Sequence, residues 1–224
     1  SRNFILRKIG GITGLNKIIA HGVKKFEKKK RYKGKKYRLI YVSNIDYYKN
    51  HLFLVKCIDE FIKNNPYYEK NLKVEFYGSY YQPALKKLNN LIRNGIRYKK
   101  NFKYYGVKDP KFIYKERRSY DTIFLFASSC ENFAVSLIEG MSRGFPILCV
   151  NLEPMKSVLG NSAVFYKFNS PTNFQAKLKK ILNSKIIQNK LSNKVYVRSK
   201  IFAKRIASEK TFNFLIKIAK KYEK

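Results

Sequence analysis

The sequence predicts a doubly wound α/β domain, a parallel sheet covered by helices on both faces. Short runs of β-branched and aromatic residues alternate with longer stretches of helical period, and no hairpin turn joins one run to the next. The runs are also nearly continuous in apolar character, as in strands buried on both faces. With 224 residues, 45% of them hydrophobic and 16% aromatic, the chain can bury a substantial core.

The regular pattern starts at "RLIYVS" (38–43), a buried-strand signal. In "NHLFLVKCIDEFIKNN" (50–65), Leu54, Val55, Ile58, Phe61 and Ile62 share one helical face, and Pro66 closes the helix. "LKVEFYG" (72–78) reads as a strand ended by Gly78. "PALKKLNNLIRNG" (83–95) sets Leu85, Leu88, Leu91 and Ile92 on one face, with Gly95 as C-cap. A strand at 101–106, a weakly periodic helix at about 109–118, and the strand "TIFLFA" (122–127) follow. Next come a helix over about 133–143 and strands at 146–150 and 163–168. Helices at about 172–183, 186–206 and 209–223 complete the chain. Right-handed crossovers would wind these strands into a Rossmann-like sheet. Before residue 39 the pattern is less regular, with a helix expected near the start, a short strand at "NKIIAHG" (16–22) and the basic stretch "KKFEKKKRYKGKKYR" (24–38).

The apolar runs are far short of the ~20 residues a membrane-crossing helix needs, and residues 1–20 lack the apolar core of a secretory signal. The chain opens on Ser, so the expectation is a piece of a longer protein. Cys57, Cys130 and Cys149 are widely spaced, and the only histidines are His21 and His51, which predicts reduced thiols and no metal site. Against 49 Lys and Arg stand 14 Asp and Glu, a formal charge of +35. That excess suits an anionic partner: nucleic acid, an acidic lipid surface or a phosphorylated substrate.

Doubly wound sheets bind ligands at the carboxyl ends of their strands. Two loops there carry the chemistry, "SNIDYYKNH" (43–51) and "SSCEN" (128–132). At the second, the backbone N–H groups of Asn132, Phe133, Ala134 and Val135 open a helix and form an anion site fit for a diphosphate. Lys49 of the first loop would add a full positive charge. In "ENFAVSLIE" (131–139), Glu131 lies at the helix mouth and Glu139 two turns down, roughly 12 Å along the axis. Carboxylates so spaced cannot share a proton. They can hold the hydroxyls at opposite ends of one extended ligand, such as a nucleotide sugar.

"SSCENFAVSLIEGMSRGFPILC" (128–149) resembles the donor-binding segment of GT-B glycosyltransferases of family four, the large retaining group. The matching features are Ser128-Ser129, Glu131, Phe133-Ala134, Glu139 and Gly144-Phe145-Pro146. The likeness extends through "YVSNIDYYKNH", "VEFYG", "FKYYG" and "IIAHGV", over roughly residues 17–170. It implies that Glu131 contacts the donor sugar, that Glu139 holds the nucleotide ribose, and that Phe133-Ala134 with Lys49 bind the diphosphate. Tyr105, Gly106 and Val107 would lie near the base. Ser43-Asn44 stands where the family often has Gly-Arg, which leaves Asn44 beside the phosphates in place of a cation, and Ala134 replaces a customary glycine.

On this likeness residues 1–38 are the tail of an N-terminal domain with a basic linker, and residues 39–224 are the donor-binding domain. A separate N-terminal acceptor domain would be missing from this chain. The implied reaction takes a sugar from a nucleotide diphosphate sugar to a glycan or lipid-linked acceptor, in bacterial surface polysaccharide synthesis. No cofactor or metal is expected. The location would be cytoplasmic, peripheral on an anionic membrane face, with Lys86, Lys87, Lys217, Lys220 and Lys221 flanking amphipathic helices. The rival reading is a basic nucleic-acid-binding module, which the charge favours; no RNA-recognition, KH or zinc-finger motif accompanies it. A nicotinamide-binding domain lacks its G-x-G-x-x-G.

Overall fold

The computed structural model describes residues 17, 19–24, 28, 34–115 and 120–222. Six strands form one sheet: β1 (Tyr37–Val42), β2 (Leu72–Tyr77), β3 (Phe102–Tyr104), β4 (Asp121–Phe126), β5 (Ile147–Val150) and β6 (Val164–Tyr166). Every pairing is parallel, in the order β3-β2-β1-β4-β5-β6. The order reverses between β1 and β4, so the connections leaving those two strands diverge and leave a crevice above them.

The helices are α1 (His51–Lys63), α2 (Tyr67–Asn71), α3 (Gln82–Asn94), α4 (Pro110–Ile113), α5 (Val135–Ser142), α6 (Met155–Leu159), α7 (Pro171–Leu182), α8 (Lys185–Ser199) and α9 (Lys204–Tyr222). α1 packs with α3 and α7, and α5 packs with α8. The expected apolar stripe of α1 is buried throughout, from Leu54 to Ile62. No helix among the described residues is long and apolar enough to cross a membrane.

The chain divides into two compact units. Residues 26–199 contain the whole sheet. The other unit joins residues 1–25 with 200–224; in it Val23 makes an isolated parallel bridge to Ala203, donating to the Phe202 carbonyl and accepting from Lys204 N–H.

Several boundaries differ from the sequence reading. The strand expected at 16–22 is absent from the described residues 17 and 19–22, where only the Val23 bridge follows. The helix expected near the start lies outside the described residues. The helix at 109–118 is a single turn, Pro110–Ile113, capped by Asp109, whose carboxylate accepts from Lys111 N–H; residues 116–119 lie outside the description. The stretch 186–206 breaks after Ser199 into a 3-10 turn, Lys200–Phe202. Neither α2 nor α6 was expected, because five residues are too few to display a period.

α5 carries Glu139 and begins at Val135, two residues later than expected, since Ala134 has non-helical φ −83° and ψ 81°. It ends in a Schellman turn: Gly144 at φ +73° donates to Met141, and Phe145 donates to Gly140. Gly140 looks costly in mid-helix, but a Cβ there would come within 2.7 Å of the Phe124 ring on β4. The glycine is what lets α5 lie close against the sheet. Gly140→Ala would gain about 1 kcal/mol of helix propensity, whereas forcing a methyl into a packed ring costs about 1–3 kcal/mol. We expect Gly140→Ala to lower stability in urea unfolding, and to cost less in a Phe124→Leu background. A stabilised variant would show that propensity outweighs this packing.

Candidate functional site

The loops leaving β1 and β4 are sewn together. The Tyr48 carbonyl accepts from Ser129 N–H (2.8 Å), Ser129 Oγ (3.0 Å) and Asn50 Nδ2 (3.1 Å), and the same Asn50 amide donates to the Ala127 carbonyl at 2.8 Å. Asn50 adopts a left-handed φ of 58°, which Asn tolerates better than most residues. Tyr41 OH donates to the Lys49 carbonyl at 3.1 Å. Loops after β1, β2 and β3 are joined in turn: Ser43 N–H donates to Tyr77, Ile45 N–H to Ser79, and Gly78 N–H to Gly106. Gly78 has φ +138°, and a Cβ would lie 2.2 Å from the Ser43 carbonyl oxygen, so only glycine fits.

This stitching brings Lys49 and Glu131, 82 residues apart, into a salt bridge between Nζ and Oε1. Both side chains are nearly buried, at 10% and 12% exposure, and Lys49 Nζ also lies 4.7 Å above the Tyr48 ring. Ion pairs so withdrawn from water are screened little by salt. The pair sits just ahead of α5. Of the four amides expected free at this helix entry, Val135 N–H is engaged, donating to the Phe133 carbonyl at 3.1 Å. Asn132 is exposed and Ala134 buried. A phosphate entering here would meet a positive helix end and a lysine already held by a carboxylate, so it would have to share or displace Glu131.

Glu139 lies on α5, partly buried, and accepts a hydrogen bond from Tyr114 OH at 2.9 Å. Burial, and next the Glu139 carboxylate, raise the Tyr114 hydroxyl well above the usual phenol range, so it stays a donor. Asn44 is exposed, and its Oδ1 accepts from Ser79 Oγ at 2.7 Å. Tyr105 stacks on Tyr77 with centroids 5.1 Å apart, Gly106 has φ +68° and Val107 is exposed; these three follow β3, at the edge of the sheet. Among the described residues no group of three or more His, Cys, Asp or Glu comes together as a metal cage. Cys130, beside Glu131, is an exposed free thiol, while Cys57 and Cys149 are buried.

Sequence reasoning missed Tyr114 and His51. His51 opens α1 beneath the crevice, stacked on Tyr41 (4.8 Å) and edge-on to Phe76 (5.2 Å), with Nε2 3.3 Å from Ser43 Oγ. Its Nδ1 is buried with no hydrogen-bond partner among the described residues. A histidine inside an otherwise apolar helix face was the one available signal.

With this geometry in view, the comparisons place the chain. The profile of the family described as Glycosyl transferases group 1 matches residues 23–198, and the chain belongs to that family. No curated protein matches it in sequence. Its fold is that of one half of a GT-B glycosyltransferase. It is similar to S. aureus TarM, solved with fondaparinux, α-GlcNAc-glycerol and UDP (14% identity, TM-score 0.74, covering 95% of this chain and 41% of that one). It is also similar to the pneumococcal O-GlcNAc transferase GtfA, solved with UDP and GlcNAc (18%, 0.65, 88% and 38%). A third is Anabaena Alr3699/HepE, solved with UDP-glucose (12%, 0.68, 81% and 49%). The chain therefore spans less than half the length of these structures.

Burial, and then the neighbouring Lys49 charge, lower the His51 pKa from 6.5 to about 3. The folded chain refuses a proton that the unfolded chain accepts below pH 6.5. Stability from this group is complete above pH 6.5 and declines as pH falls toward 3, by about 2 kcal/mol at pH 5. His51→Leu should flatten this part of the pH–stability curve, measured by urea unfolding from pH 7 to 4. An unchanged slope would show that another group carries the acid sensitivity.

Proposed function

We propose that this chain is the donor-binding half of a retaining glycosyltransferase, moving a sugar from a nucleoside diphosphate sugar to a hydroxyl of a glycan or lipid-linked acceptor. The observation that carries the reading is the Lys49–Glu131 pair, assembled across the switch point at the entry to the helix bearing Glu139. The UDP complexes of TarM, GtfA and HepE support a nucleoside diphosphate as ligand. Acceptor and role in surface polysaccharide synthesis rest on the family resemblance.

In this reading the diphosphate lies across the start of α5, with Lys49 turning from Glu131 toward it. Glu139 accepts from the ribose hydroxyls, held in orientation by Tyr114. Glu131, released from part of its pairing, accepts from the donor sugar. As the bond between the anomeric carbon and the phosphate oxygen breaks, charge grows on the leaving diphosphate. Lys49 and the helix amides stabilise it there. The acceptor oxygen bonds to the anomeric carbon on the same face, and its proton passes to the departing phosphate. That route calls for no separate general base. The acceptor itself would be held by a separate N-terminal domain, and residues 1–38 would be the approach to it.

The two glutamates should then fail differently in calorimetry. A screen of uridine, guanosine and adenosine diphosphates finds the base. Glu139→Ala should weaken the bare nucleoside diphosphate by ~1.5–3 kcal/mol, the usual worth of a hydrogen bond to a charged group. Glu139→Gln, which can still accept from Tyr114, separates lost ribose binding from a disturbed fold. Glu131→Ala leaves Lys49 free for phosphate, so the bare nucleotide should bind as tightly as before or tighter, while the nucleotide sugar weakens. Equal loss of the bare nucleotide in both alanine variants would overturn these roles.

A further inference from the structure

A second basic cavity lies away from the crevice. On the sheet face opposite α1, the strand register places Arg38 beside Lys73, and Glu75 beside both Ile40 and Lys103. Arg38, Lys73, Glu75 and Lys103, with Lys100, wall a cavity of about 250 Å³ at the β3 edge. Four cations face one carboxylate there, since Glu75 is the only acid among its described lining residues. Arg38 sits second in its strand, four residues from the end of β1, so the cavity is roughly 13 Å below the crevice at ~3.3 Å per residue.

Arg38 is almost wholly buried, at 1% exposure. Its Nε meets Glu75 Oε2 at 2.5 Å, and Nη2 donates to Tyr77 OH (3.1 Å) and the Ile113 carbonyl (2.6 Å). Nη1 is buried with no hydrogen-bond partner among the described residues. Buried guanidinium donors are rarely left unmatched, because losing hydration without replacement is costly. The neighbouring lysines compound this. Among the described residues Lys73 Nζ donates to the Lys100 carbonyl at 3.3 Å, and Lys103 lies over the Tyr105 ring at 4.8 Å. Lys100 and Lys103 are exposed and Lys73 half-buried, so the charge least offset by solvent is that of Arg38, and a bound anion beside it would meet all four cations.

We infer that this cavity is a binding site for a small phosphate monoester, its phosphate on Arg38 Nη1 and the lysines Lys73 and Lys103. A phosphate supplies the several acceptor oxygens that an arginine fork and flexible lysines match. The volume is somewhat below that of pockets for drug-sized ligands, about 300–1,000 Å³, and exceeds what a bare phosphate fills. The cavity borders Tyr105, which the family resemblance sets near the base, but it shares neither Lys49 nor either glutamate with the crevice.

The test is a heteronuclear NMR titration of the whole chain with inorganic phosphate and with glycerol 3-phosphate, in the presence of excess UDP to occupy the crevice. We expect the Arg38 Nε–Hε resonance and the Lys103 amide to shift saturably with both, and glycerol 3-phosphate to bind at least as tightly as phosphate. Lys73→Gln with Lys103→Gln should raise both dissociation constants about tenfold or more. Lys103→Gln alone, at an exposed site, should give part of that loss without risk to the fold. UDP affinity should change far less than phosphate affinity in either variant, since Lys103 touches the nucleotide site only through the Tyr105 ring, and the phosphate readout at Arg38 holds whether or not UDP binds. An unmoved Arg38 signal, exclusion of glycerol 3-phosphate, or equal affinity in the double variant would overturn the assignment.

Discussion

The carbonyl of Tyr48 is the point on which the crevice depends. Three donors from two separate loops converge on it, and Asn50 carries the connection on to Ala127. Each such hydrogen bond is worth only ~0.5–1.5 kcal/mol net. Their effect is geometric, because they fix the loop after β1 against the loop after β4 at the one place where the strand order reverses. Once that seam exists, Lys49 meets Glu131, His51 is buried under the loop, and α5 starts in line with the gap. Gly78 serves the same end from the other side, allowing the β2 loop to pass the Ser43 carbonyl at a distance no side chain permits.

Much of the fold was legible because parallel strands advertise themselves. The strand expected at 38–43 lies at Tyr37–Val42, and the helix expected at 50–65 at His51–Lys63, each marked by a continuous or helically spaced apolar run. Where burial is slight the signal fades. β3 has three residues, and α2 and α6 have five each, too short for any period. The site was legible as a set of residue types and positions, but not as a set of contacts. Lys49 and Glu131 could be placed on neighbouring loops, yet their direct pairing depends on strand order and on the hydrogen bonds of Tyr48 and Asn50. Tyr114 lay in a weakly periodic stretch, and nothing in its spacing pointed to Glu139 across 25 residues. Gly140 was misleading in isolation, since its reason is a ring on β4 rather than anything in its own helix.

The basic charge is distributed in two distinct ways. Much of it is solvated: Lys86, Lys87, Lys217, Lys220 and Lys221 are all exposed. Arg38 and Lys49 are different, because the fold buries both and gives each a carboxylate. Burying a cation is expensive unless it is paired and fully hydrogen-bonded. Lys49 is paired with Glu131 at the mouth of the crevice, the exchange for a phosphate being the proposed step. Arg38 is paired in the body of the sheet, with Nη1 unmatched among the described residues, and it lines a cavity with further cations. A chain with so few acids has placed two of them, Glu75 and Glu131, against its buried cations.

We propose that the crevice between β1 and β4 receives a nucleoside diphosphate along the start of α5. Mapping backbone amide shifts during a titration of the whole chain with UDP, or with whichever nucleoside diphosphate binds, tests it most directly. Saturable shifts should cluster at residues 43–50, 105–107 and 131–139, with the strand amides at the opposite end of the sheet unmoved. Shifts confined to the strand amino ends or to α9, with Lys49, Glu131 and Glu139 silent, would contradict it.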